Sequence, residues 1–396
     1  MTLPYTLYSL STFLTYLVVH SGATTQYNGT LELVHLMYRH GDRAPINLYA
    51  NDPHKDPSLW PNGLSQLTER GKARHYALGK WLRNRYRGFV NEKWIAQEVY
   101  VRSTDVDRTL MSAAVNLAAF YKLNDPKDFF EKDLPWSPAP IHTAPLSTDH
   151  LLDVDESCPR ITEELDKQND LPAVKKVIDA NKDLFHYVSQ MSGDNISTIV
   201  SADYLYDTLY IESLYNLTLP NWTHGVLHHL KLVSDFSFQI VAMSKELKRL
   251  RASPIIKEIG EHMQQKVQGK LSQQKMYVYS AHDTTIAILL VGLGVFNNVA
   301  PPYATTVIIE LHKIGKERFV KMLLRNDTNI IEPPHELVLP GCTALCPLDD
   351  WLVITGTIIP KDWESECKSL KHGASFTMSQ AMLTGDDRGL RSSDQL

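Results

Sequence analysis

The stretch Leu31-Glu-Leu-Val-His-Leu-Met-Tyr38, followed directly by Arg39-His-Gly-Asp-Arg-Ala-Pro45, decides how this chain is expected to fold. The first segment is mostly apolar with partial alternation, which predicts a buried β-strand. The second segment places two arginines and a histidine just after that strand. In open α/β sheets, ligands bind outside the carboxyl ends of the strands, so this turn is a candidate site.

Two later segments have the same arrangement of a short strand followed by charged or histidine side chains. The predicted strand Glu98–Arg102 leads to Arg108, and the predicted strand Met276–Ser280 leads to His282 and Asp283. Helical patterns follow all three strands, at Thr68–Tyr86 with Thr68 as N-cap, at about 105–121 and at Thr284–Leu293. Strands that alternate with helices indicate a layered α/β core. If the three strands are neighbours, their charged side chains converge on one small volume.

The middle of the chain has a different texture. Pro, Asp and Asn are frequent at first, and amphipathic stretches then follow near 171–191, 202–214 and 230–250. We expect residues 123–274 to form a mainly helical cap inserted into a core made of residues 27–122 and 275–373. Two more strands are predicted in that core, at Tyr303–Leu311 and Val320–Arg325.

The amino terminus is typical of a secretory signal peptide, predicted to span residues 1–23. Glu32 is the first charged residue, residues 7–19 are largely apolar, and Ser21-Gly-Ala23 offers small residues for cleavage. A short membrane anchor is the alternative, but the apolar run is below the roughly 18 to 20 residues that span a bilayer. The polar segment 374–396 predicts a disordered tail without a membrane anchor.

The cysteines and glycosylation sequons also indicate a secretory compartment. Five Asn-x-Ser/Thr sequons predict glycosylation at Asn28, Asn195, Asn216, Asn221 and Asn326. The chain has 4 cysteines. An even number in this context predicts two disulfides, although four cysteines allow three pairings. A zinc site is disfavoured because it needs more cysteines or a well-spaced histidine.

Composition excludes several classes of protein. With 43% hydrophobic and 21% charged residues, the chain is too apolar for a disordered protein. A net charge of -5 gives no overall attraction to nucleic acid or to anionic membranes. The basic helix Thr68–Tyr86 could contact nucleic acid, but a solvated helix face is the favoured interpretation, because no nucleic-acid-binding signature accompanies it.

The side chains after the three strands are those that phosphoryl chemistry uses. Converging arginines are costly unless an anion pairs with them, and their forked geometry matches phosphate. A histidine among them can attack phosphorus, and a neighbouring acid can protonate the leaving oxygen. We predict no cofactor and no metal, since no convincing ligand spacing occurs; the arginines would neutralise the phosphoryl charge. Surface ion pairs and an ordinary helix cap are the structural alternatives for these residues.

The chain is identified as a member of the histidine acid phosphatases, and it resembles the animal lysosomal and prostatic enzymes. Arg39–Pro45 matches the family pattern RHGxRxP. Tyr100–Ser112 and Tyr279–Thr285 are similar to the corresponding family segments, as are Pro340–Pro347 and Pro360–Trp363. The resemblance implies a three-layer α/β core, like that of phosphoglycerate mutase, with an α-helical cap.

The resemblance also implies a role for each site residue. His40 corresponds to the nucleophile that becomes phosphohistidine, and Asp283 to the proton donor. The implied phosphate-binding residues are Arg39, Arg43, Arg102 and His282. The implied disulfides are Cys158–Cys367 and Cys342–Cys346. The relatives have a third bridge, whose cysteines are missing here, with one expected position near residues 210–212, so the cap is expected to be looser or packed differently. A homodimer is implied as well.

The resulting expectation is a broad-specificity acid phosphatase in the lysosomal lumen or outside the cell. It would hydrolyse phosphate monoesters, either small molecules or phosphoproteins, without nucleic acid as partner. We expect nearby arginines to lower the pKa of His40 and the activity to peak at acid pH. Two alternatives remain open: a phytase or other phosphatase of the same superfamily, and a secreted glycoprotein that binds phosphorylated ligands without turnover.

Overall fold

The computed structural model describes residues 29–327 and 333–370. The predicted signal peptide 1–23, the sequon at Asn28 and the predicted tail 374–396 lie outside the described residues. In chain order the strands and helices are β1 (Leu31–Arg39), α1 (Glu69–Arg85), β2 (Val99–Ser103), α2 (Asp107–Phe120), α3 (Pro159–Asp166), α4 (Pro172–Ala180), α5 (Lys182–Ser192), α6 (Ile199–Leu214), α7 (Leu227–Ile240), α8 (Lys245–Leu247), α9 (Ser253–Val267), β3 (Met276–Ala281), α10 (Asp283–Gly292), β4 (Thr306–Ile314), β5 (Glu317–Arg325), β6 (His335–Leu337), β7 (Cys346–Pro347), α11 (Leu348–Gly356) and α12 (Trp363–Glu366).

The sheet places the three predicted site strands side by side. Its strand order is β2-β3-β1-β4-β5-β6, and β7 pairs with β5. Strands β2 and β1 both pair with β3 in parallel, whereas β4 to β7 extend the sheet with antiparallel pairs. Because parallel strands end at the same edge, Arg39, Ser103 and Ala281 finish side by side. The convergence predicted from the sequence is therefore confirmed.

Helices cover both faces of the sheet, which confirms the three-layer core. On one face, Leu78 and Leu82 of α1 and Leu117 of α2 pack against β1, β2 and β3. On the other face, helices α9, α10 and α11 contribute apolar side chains to a second buried cluster, including Ile256, Leu289 and Trp351. Helix α9 lies inside the range 123–274 that the sequence assigns to the cap, but its apolar face packs in the core.

Helices α4 to α7 form a separate apolar cluster of their own. Val174 of α4, Val188 of α5, Leu205 of α6 and Val233 of α7 are buried in it. These residues come from the amphipathic stretches of the middle segment, where apolar side chains recur at helical spacing. The segment between α2 and α3 is irregular, with short 3₁₀ turns. The helical character expected for the insertion thus holds for α3 to α7.

Two disulfides fix the carboxyl-terminal part of the described chain. Cys158, directly before α3, pairs with Cys367 after α12, across a sequence separation of 209 residues. Cys342 pairs with Cys346, just before α11. These are the two pairs that the family resemblance implies. The long-range bridge lies in an apolar cluster with Ile161 and Leu250, so it joins the base of the insertion to the end of the core.

The turn after β1 is held against helix α1 by a contact that only glycine allows. A Cβ at Gly71 would lie 2.2 Å from the carbonyl oxygen of Asp42, and a Cβ at Gly41 would lie 2.5 Å from the carbonyl oxygen of Gly71. The buried carboxylate of Asp42 accepts hydrogen bonds from Arg74, at 2.5 and 3.1 Å, and pairs with Arg70 at 3.0 Å. The solvated face predicted for this basic helix is therefore wrong for Arg74, whose side chain is 10% exposed, and holds for Arg70, whose side chain is 44% exposed.

Substitution of Gly71 tests this contact. In Gly71→Ala the new methyl group meets backbone atoms, which cannot move aside as a side chain can. We expect the free energy of unfolding to fall by about 1–3 kcal/mol, measured by denaturant titration. Gly356→Ala, in α11 with open space around it, is the control and should lose less than about 0.5 kcal/mol. Equal losses in the two variants would contradict the packing role.

A buried pair of carboxyl groups joins the cap to the core near the missing third bridge. Glu212, on α6, is fully buried, and neither carboxyl oxygen has a hydrogen-bond partner at optimal geometry. Asp52, in the loop after β1, is also buried, and its Oδ2 lacks a partner. Burial, followed by the neighbouring Asp52, raises the pKa of Glu212 to about 8. The pair is therefore compatible with folding when a proton is bound.

This pair makes the folded chain more stable in acid. Because the pKa of Glu212 is raised on folding, stability is complete below the unfolded value of about 4.3 and falls as pH rises toward 8. We expect the melting temperature of Glu212→Gln to fall less than that of the wild type between about pH 5 and about pH 8. The exposed Glu246 on α8 supplies the control, Glu246→Gln, which should keep the wild-type pH dependence. An identical pH dependence in Glu212→Gln would refute the coupling.

Candidate active site

A cavity of about 450 Å³ lies between the carboxyl edge of the parallel strands and the cap helices. Five of the six predicted site residues line it, namely Arg39, His40, Arg43, His282 and Asp283. Helices α6 and α7 of the cap supply much of the opposite wall. The cavity is thus built jointly by the core, which carries the predicted chemistry, and the insertion.

His40 is held as a neutral imidazole with one nitrogen available. Its ring is 1% exposed, and Nδ1 lies 2.7 Å from the carbonyl oxygen of Gly41. That carbonyl can only accept, so Nδ1 carries the proton and Nε2 keeps its lone pair. Burial lowers the pKa of His40 well below its ordinary value, and Arg108, Arg39, His282 and Arg43 lower it further. The expected direction is correct, although burial is a larger cause than the arginines.

Arg39 is fixed on three sides at the end of β1. Its Nη1 donates to the carbonyl oxygen of Pro301 at 2.6 Å, and its Nη2 lies 2.7 Å from Oδ2 of Asp283. The guanidinium carbon stacks 4.1 Å from the ring centre of Tyr303. The Tyr303 hydroxyl is buried without a hydrogen-bond partner. The tyrosine therefore acts on Arg39 through its aromatic face.

Arg43 is held by a carboxylate from the cap. Its Nη1 and Nη2 donate to the two carboxylate oxygens of Asp207 at 2.9 and 3.1 Å, a bidentate pair. Asp207 lies on α6, whereas Arg43 follows β1 in the core. This ion pair orients a predicted phosphate-binding side chain by means of a residue 164 positions away in the sequence.

Arg102 does not reach the cavity, and Arg108 does. Arg102 pairs with Tyr279 in the register of β2 and β3, and its Nη2 binds the buried Asp149 at 2.6 Å. Its strand position therefore directs the side chain away from the site. Arg108, at the start of α2 beyond the strand end, lines the cavity and is 4% exposed. The structure therefore places Arg108, and not Arg102, among the arginines that line the cavity, which contradicts the position expected for Arg102.

His282 stands between two core groups at the edge of β3. Its Nε2 lies 3.0 Å from Oγ1 of Thr104, and its Nδ1 lies 3.4 Å from Nη2 of Arg108. An arginine can only donate, so Nδ1 is the acceptor and Nε2 carries the proton. Burial and then Arg108 lower the pKa of His282 to about 3. The ring is therefore neutral at mildly acid pH. Its one N–H group, now directed at Thr104, is the donor that it can offer to a ligand.

Asp283 begins α10 beside the arginines. Burial raises its pKa, but Arg39 and Arg43 outweigh burial and bring the pKa below the ordinary value. Beside these two arginines, Asp283 is therefore an ionised carboxylate. An anion that binds Arg39 competes for the same guanidinium and opposes the negative charge of Asp283. Anion binding should consequently raise the proton affinity of this carboxyl group.

The arrangement fits a tetrahedral oxyanion better than a metal ion. Among residues 29–327 and 333–370, no group of three or more His, Cys, Asp or Glu side chains could hold a metal ion. Three arginines, Arg39, Arg43 and Arg108, instead surround the unprotonated nitrogen of His40. Guanidinium groups bind phosphate oxygens through charge-assisted hydrogen bonds. The cavity can therefore hold a phosphoryl group beside a nucleophilic nitrogen and a carboxyl group.

Known proteins support the same interpretation. A family model for the histidine phosphatase superfamily (branch 2) matches residues 30–325. Human prostatic acid phosphatase is 40% identical over 343 residues, covering 85% of this chain and 88% of that protein. Lysosomal acid phosphatase of Xenopus laevis is 38% identical over 361 residues, covering 90% of this chain and 82% of that protein. The apo form of Hafnia alvei phytase matches with a TM-score of 0.63 at 16% identity, covering 86% of this chain and 98% of that chain, which concerns the fold alone.

The contact between Tyr303 and Arg39 can be tested with two variants. Tyr303→Leu removes the aromatic face, so Arg39 is less well positioned, and the affinity for inorganic phosphate should fall about threefold to tenfold. Tyr303→Phe keeps the face and removes only a hydroxyl without a partner, so its affinity should match the wild type. Isothermal titration calorimetry with inorganic phosphate measures both. A large loss in Tyr303→Phe would show that the hydroxyl, and not the ring face, is what matters.

Proposed function

Because the chain belongs to branch 2 of the histidine phosphatase superfamily, we propose that His40 is the nucleophile with which it hydrolyses phosphate monoesters. The chain is a phosphoric monoester hydrolase of the acid phosphatase type, as its relatives at about 40% identity indicate. The observation that supports the role of His40 is the bond from Nδ1 to the Gly41 carbonyl, which leaves Nε2 unprotonated inside a ring of arginines.

In the proposed first step, Nε2 of His40 attacks phosphorus and the ester oxygen leaves. Arg39, Arg43 and Arg108 bind the phosphoryl oxygens, with Arg108 in the place expected for Arg102. These cations neutralise charge that spreads over the equatorial oxygens as the bond breaks. His282 contributes a further donor once its proton is no longer directed at Thr104. The product of the step is a phosphohistidine, which water then hydrolyses.

Asp283 is proposed to supply the proton that the leaving oxygen needs. Paired with Arg39, its carboxyl group has a lowered pKa and is ionised, so the proton must arrive with the substrate. A phosphate monoester has a second pKa of about 6, so below this pH the monoanion carries a proton into the site. Once phosphate has taken over Arg39, the proton affinity of Asp283 rises. After it has given this proton to the leaving oxygen, the Asp283 carboxylate acts as base in the second step and accepts a proton from the attacking water.

This proton balance accounts for activity in acid. The pKa of His40 is far below its ordinary value, so mild acid does not protonate the nucleophile. The proton that Asp283 transfers is available below about pH 6 and is lost as pH rises above it. We expect kcat/KM to fall on the alkaline side, and a flat profile up to about pH 9 would contradict the assigned roles.

Two other functions, a phytase and a glycoprotein that only binds phosphorylated ligands, can be distinguished from a phosphomonoesterase. A phytase would act on a substrate with many phosphates, and a direct comparison of inositol hexakisphosphate with a small aryl phosphate separates this activity from a monoesterase. A glycoprotein that only binds phosphorylated ligands would need no nucleophile. The set of His40, Asp283 and three arginines favours turnover over binding alone.

The compartment and assembly are also proposals. Prostatic and lysosomal acid phosphatases are among the relatives, which supports a location outside the cell or in the lysosome. Asn195, Asn216 and Asn221 are exposed, which supports their glycosylation. No helix among residues 29–327 and 333–370 has the length and apolar character that crossing a bilayer requires. A signal peptide at 1–23 and a homodimer are proposed from sequence and resemblance.

Turnover of a chromogenic aryl phosphate at about pH 5 tests the nucleophile and the choice of arginine. His40→Ala should lower kcat by more than about a thousandfold, because the proposed mechanism has no other nucleophile to accept the phosphoryl group. Arg108→Ala should lower kcat/KM about tenfold to a hundredfold through lost charge-assisted bonds to phosphate. Arg102→Ala is the matched control and should retain KM, because its guanidinium binds Asp149.

The outcomes separate the claims. Equal rates for wild type and His40→Ala would overturn the phosphohistidine mechanism. A larger effect on KM in Arg102→Ala than in Arg108→Ala would restore the assignment made from the sequence. Circular dichroism of each variant shows whether a lost rate reflects a lost fold.

A further inference from the structure

One carboxyl group in the cavity wall has no part in the proposed chemistry. It belongs to Asp203, on α6, which lines the cavity and is partly exposed to it. We propose that Asp203 determines substrate specificity: it disfavours phosphate esters whose alcohol carries a negative charge and favours those whose alcohol carries an ammonium group. This inference rests on the proposed function, because it concerns the alcohol side of the same site.

The position of Asp203 follows from the helix that carries it. Val200, Asp203, Asp207 and Tyr210 all line the cavity, and their spacing of three and four residues places them on one face of α6. Asp207 binds Arg43 and so marks the phosphate end of that face. Asp203 is one helical turn away, roughly 5–6 Å along the axis. Asp203 therefore lines the same cavity one turn from the residue that orients Arg43.

The cap helices also supply apolar and aromatic side chains to the cavity. Its apolar lining includes Tyr204 and Tyr206 of α6 and Phe238 and Ile240 of α7. An alcohol that occupies this part of the cavity shares it with Asp203. Aromatic faces also attract cations, so the tyrosines support an ammonium group next to the carboxylate.

Asp203, like Asp153 and the solvent-exposed Asp166, is a carboxylate of the wall that forms no ion pair among the described residues. Four others are paired with a cation, as Asp207–Arg43, Asp283–Arg39, Asp155–Arg251 and Asp235–Lys231. Asp153 lies beside the pair of Asp155 and Arg251. Asp203 accepts a hydrogen bond from the Ser234 hydroxyl, and within residues 29–327 and 333–370 it forms no ion pair. Its charge is therefore uncompensated when it is ionised.

The charge of Asp203 depends on pH within the range where the enzyme can be assayed. Its pKa is raised to about 7; burial is the largest cause, Asp207 and Asp283 add to it, and hydrogen bonds from Ser234 and Ser237 oppose it. The groups that face it are Asp207 on its own helix, Asp283 on α10, and Ser234 and Ser237 on α7. The carboxyl group is neutral below about 7 and negative above it. Selection by charge should therefore be weak in acid and should increase as pH rises.

A matched pair of substrates measures this selection. The pair is 4-(aminomethyl)phenyl phosphate, which carries an ammonium group, and 4-(carboxymethyl)phenyl phosphate, which carries a carboxylate. The measured quantity is kcat/KM for the ammonium substrate divided by kcat/KM for the carboxylate substrate. The intrinsic reactivities of the two leaving groups are the same for every protein, so they cancel when the ratios of two proteins are compared. At about pH 8 the ratio should be at least about tenfold lower in Asp203→Asn than in the wild type. At about pH 5 the two proteins should agree within about twofold.

A second carboxyl variant provides the control. Asp166, in α3, lines the same cavity but is exposed to solvent, so its charge is screened. Asp166→Asn should leave the ratio near the wild-type value at both pH values. An unchanged ratio in Asp203→Asn at about pH 8 would overturn the proposal, as would an equal change in Asp166→Asn.

The test also separates this inference from the proposed function. Hydrolysis of both substrates by the wild type, with loss in His40→Ala, supports the phosphatase mechanism whatever the ratio. Isothermal titration calorimetry measures the same selection without turnover. The ligands are the corresponding ammonium and carboxylate benzylphosphonates, and their affinities are compared for the wild type and Asp203→Asn. A preference for the ammonium ligand that disappears in Asp203→Asn supports the inference even if hydrolysis fails, and equal preferences overturn it.

Discussion

The constraint on which the site depends is the burial of positive charge. Arg39, Arg43 and Arg108 lie beside two histidines in a cavity that is largely shielded from water. Unpaired charges in such a place would cost several kcal/mol each. The chain reduces this cost with carboxylates, Asp283 for Arg39 and Asp207 for Arg43, and by keeping both imidazoles neutral. A phosphate group therefore enters a site in which carboxylates already balance the arginines, and it can replace a carboxylate as the partner of an arginine.

The balance requires both parts of the structure. Asp283 comes from the core, at the start of α10, whereas Asp207 comes from α6 of the cap. The same face of α6 carries the aspartate that orients Arg43 and the aspartate that borders the alcohol. The insertion is thus more than a lid over a finished site, because removal of α6 would leave Arg43 without its counter-charge. Phosphate binding and alcohol selection are connected through one helix.

The core of this arrangement could be predicted from the sequence because it is local. Each strand and the residues after it are contiguous, and parallel strands bring their carboxyl ends together, so His40, Arg39, Arg43, His282 and Asp283 were found. The choice between Arg102 and Arg108 depends on which face of β2 a residue occupies and where that strand ends, and a boundary error of a few residues reverses it. Asp207, Asp203 and Tyr303 were not found, since their partners lie in distant segments. The position of α9 was missed for the same reason: its apolar stripe fits a cap or a core equally well.

The order of strands in the sheet has a consequence for how the chain folds during synthesis. Strand β1 pairs only with β3 and β4, and β2 pairs with β3, among the described strands. Residue 276, where β3 begins, emerges after more than two thirds of the 396 residues. Until then β1 and β2 have unpaired edges, while the cap helices, which contact one another locally, can already fold. The nascent chain should therefore rely on chaperones until its central strand arrives. Slow, non-local strand pairing should limit the rate at which the active site forms.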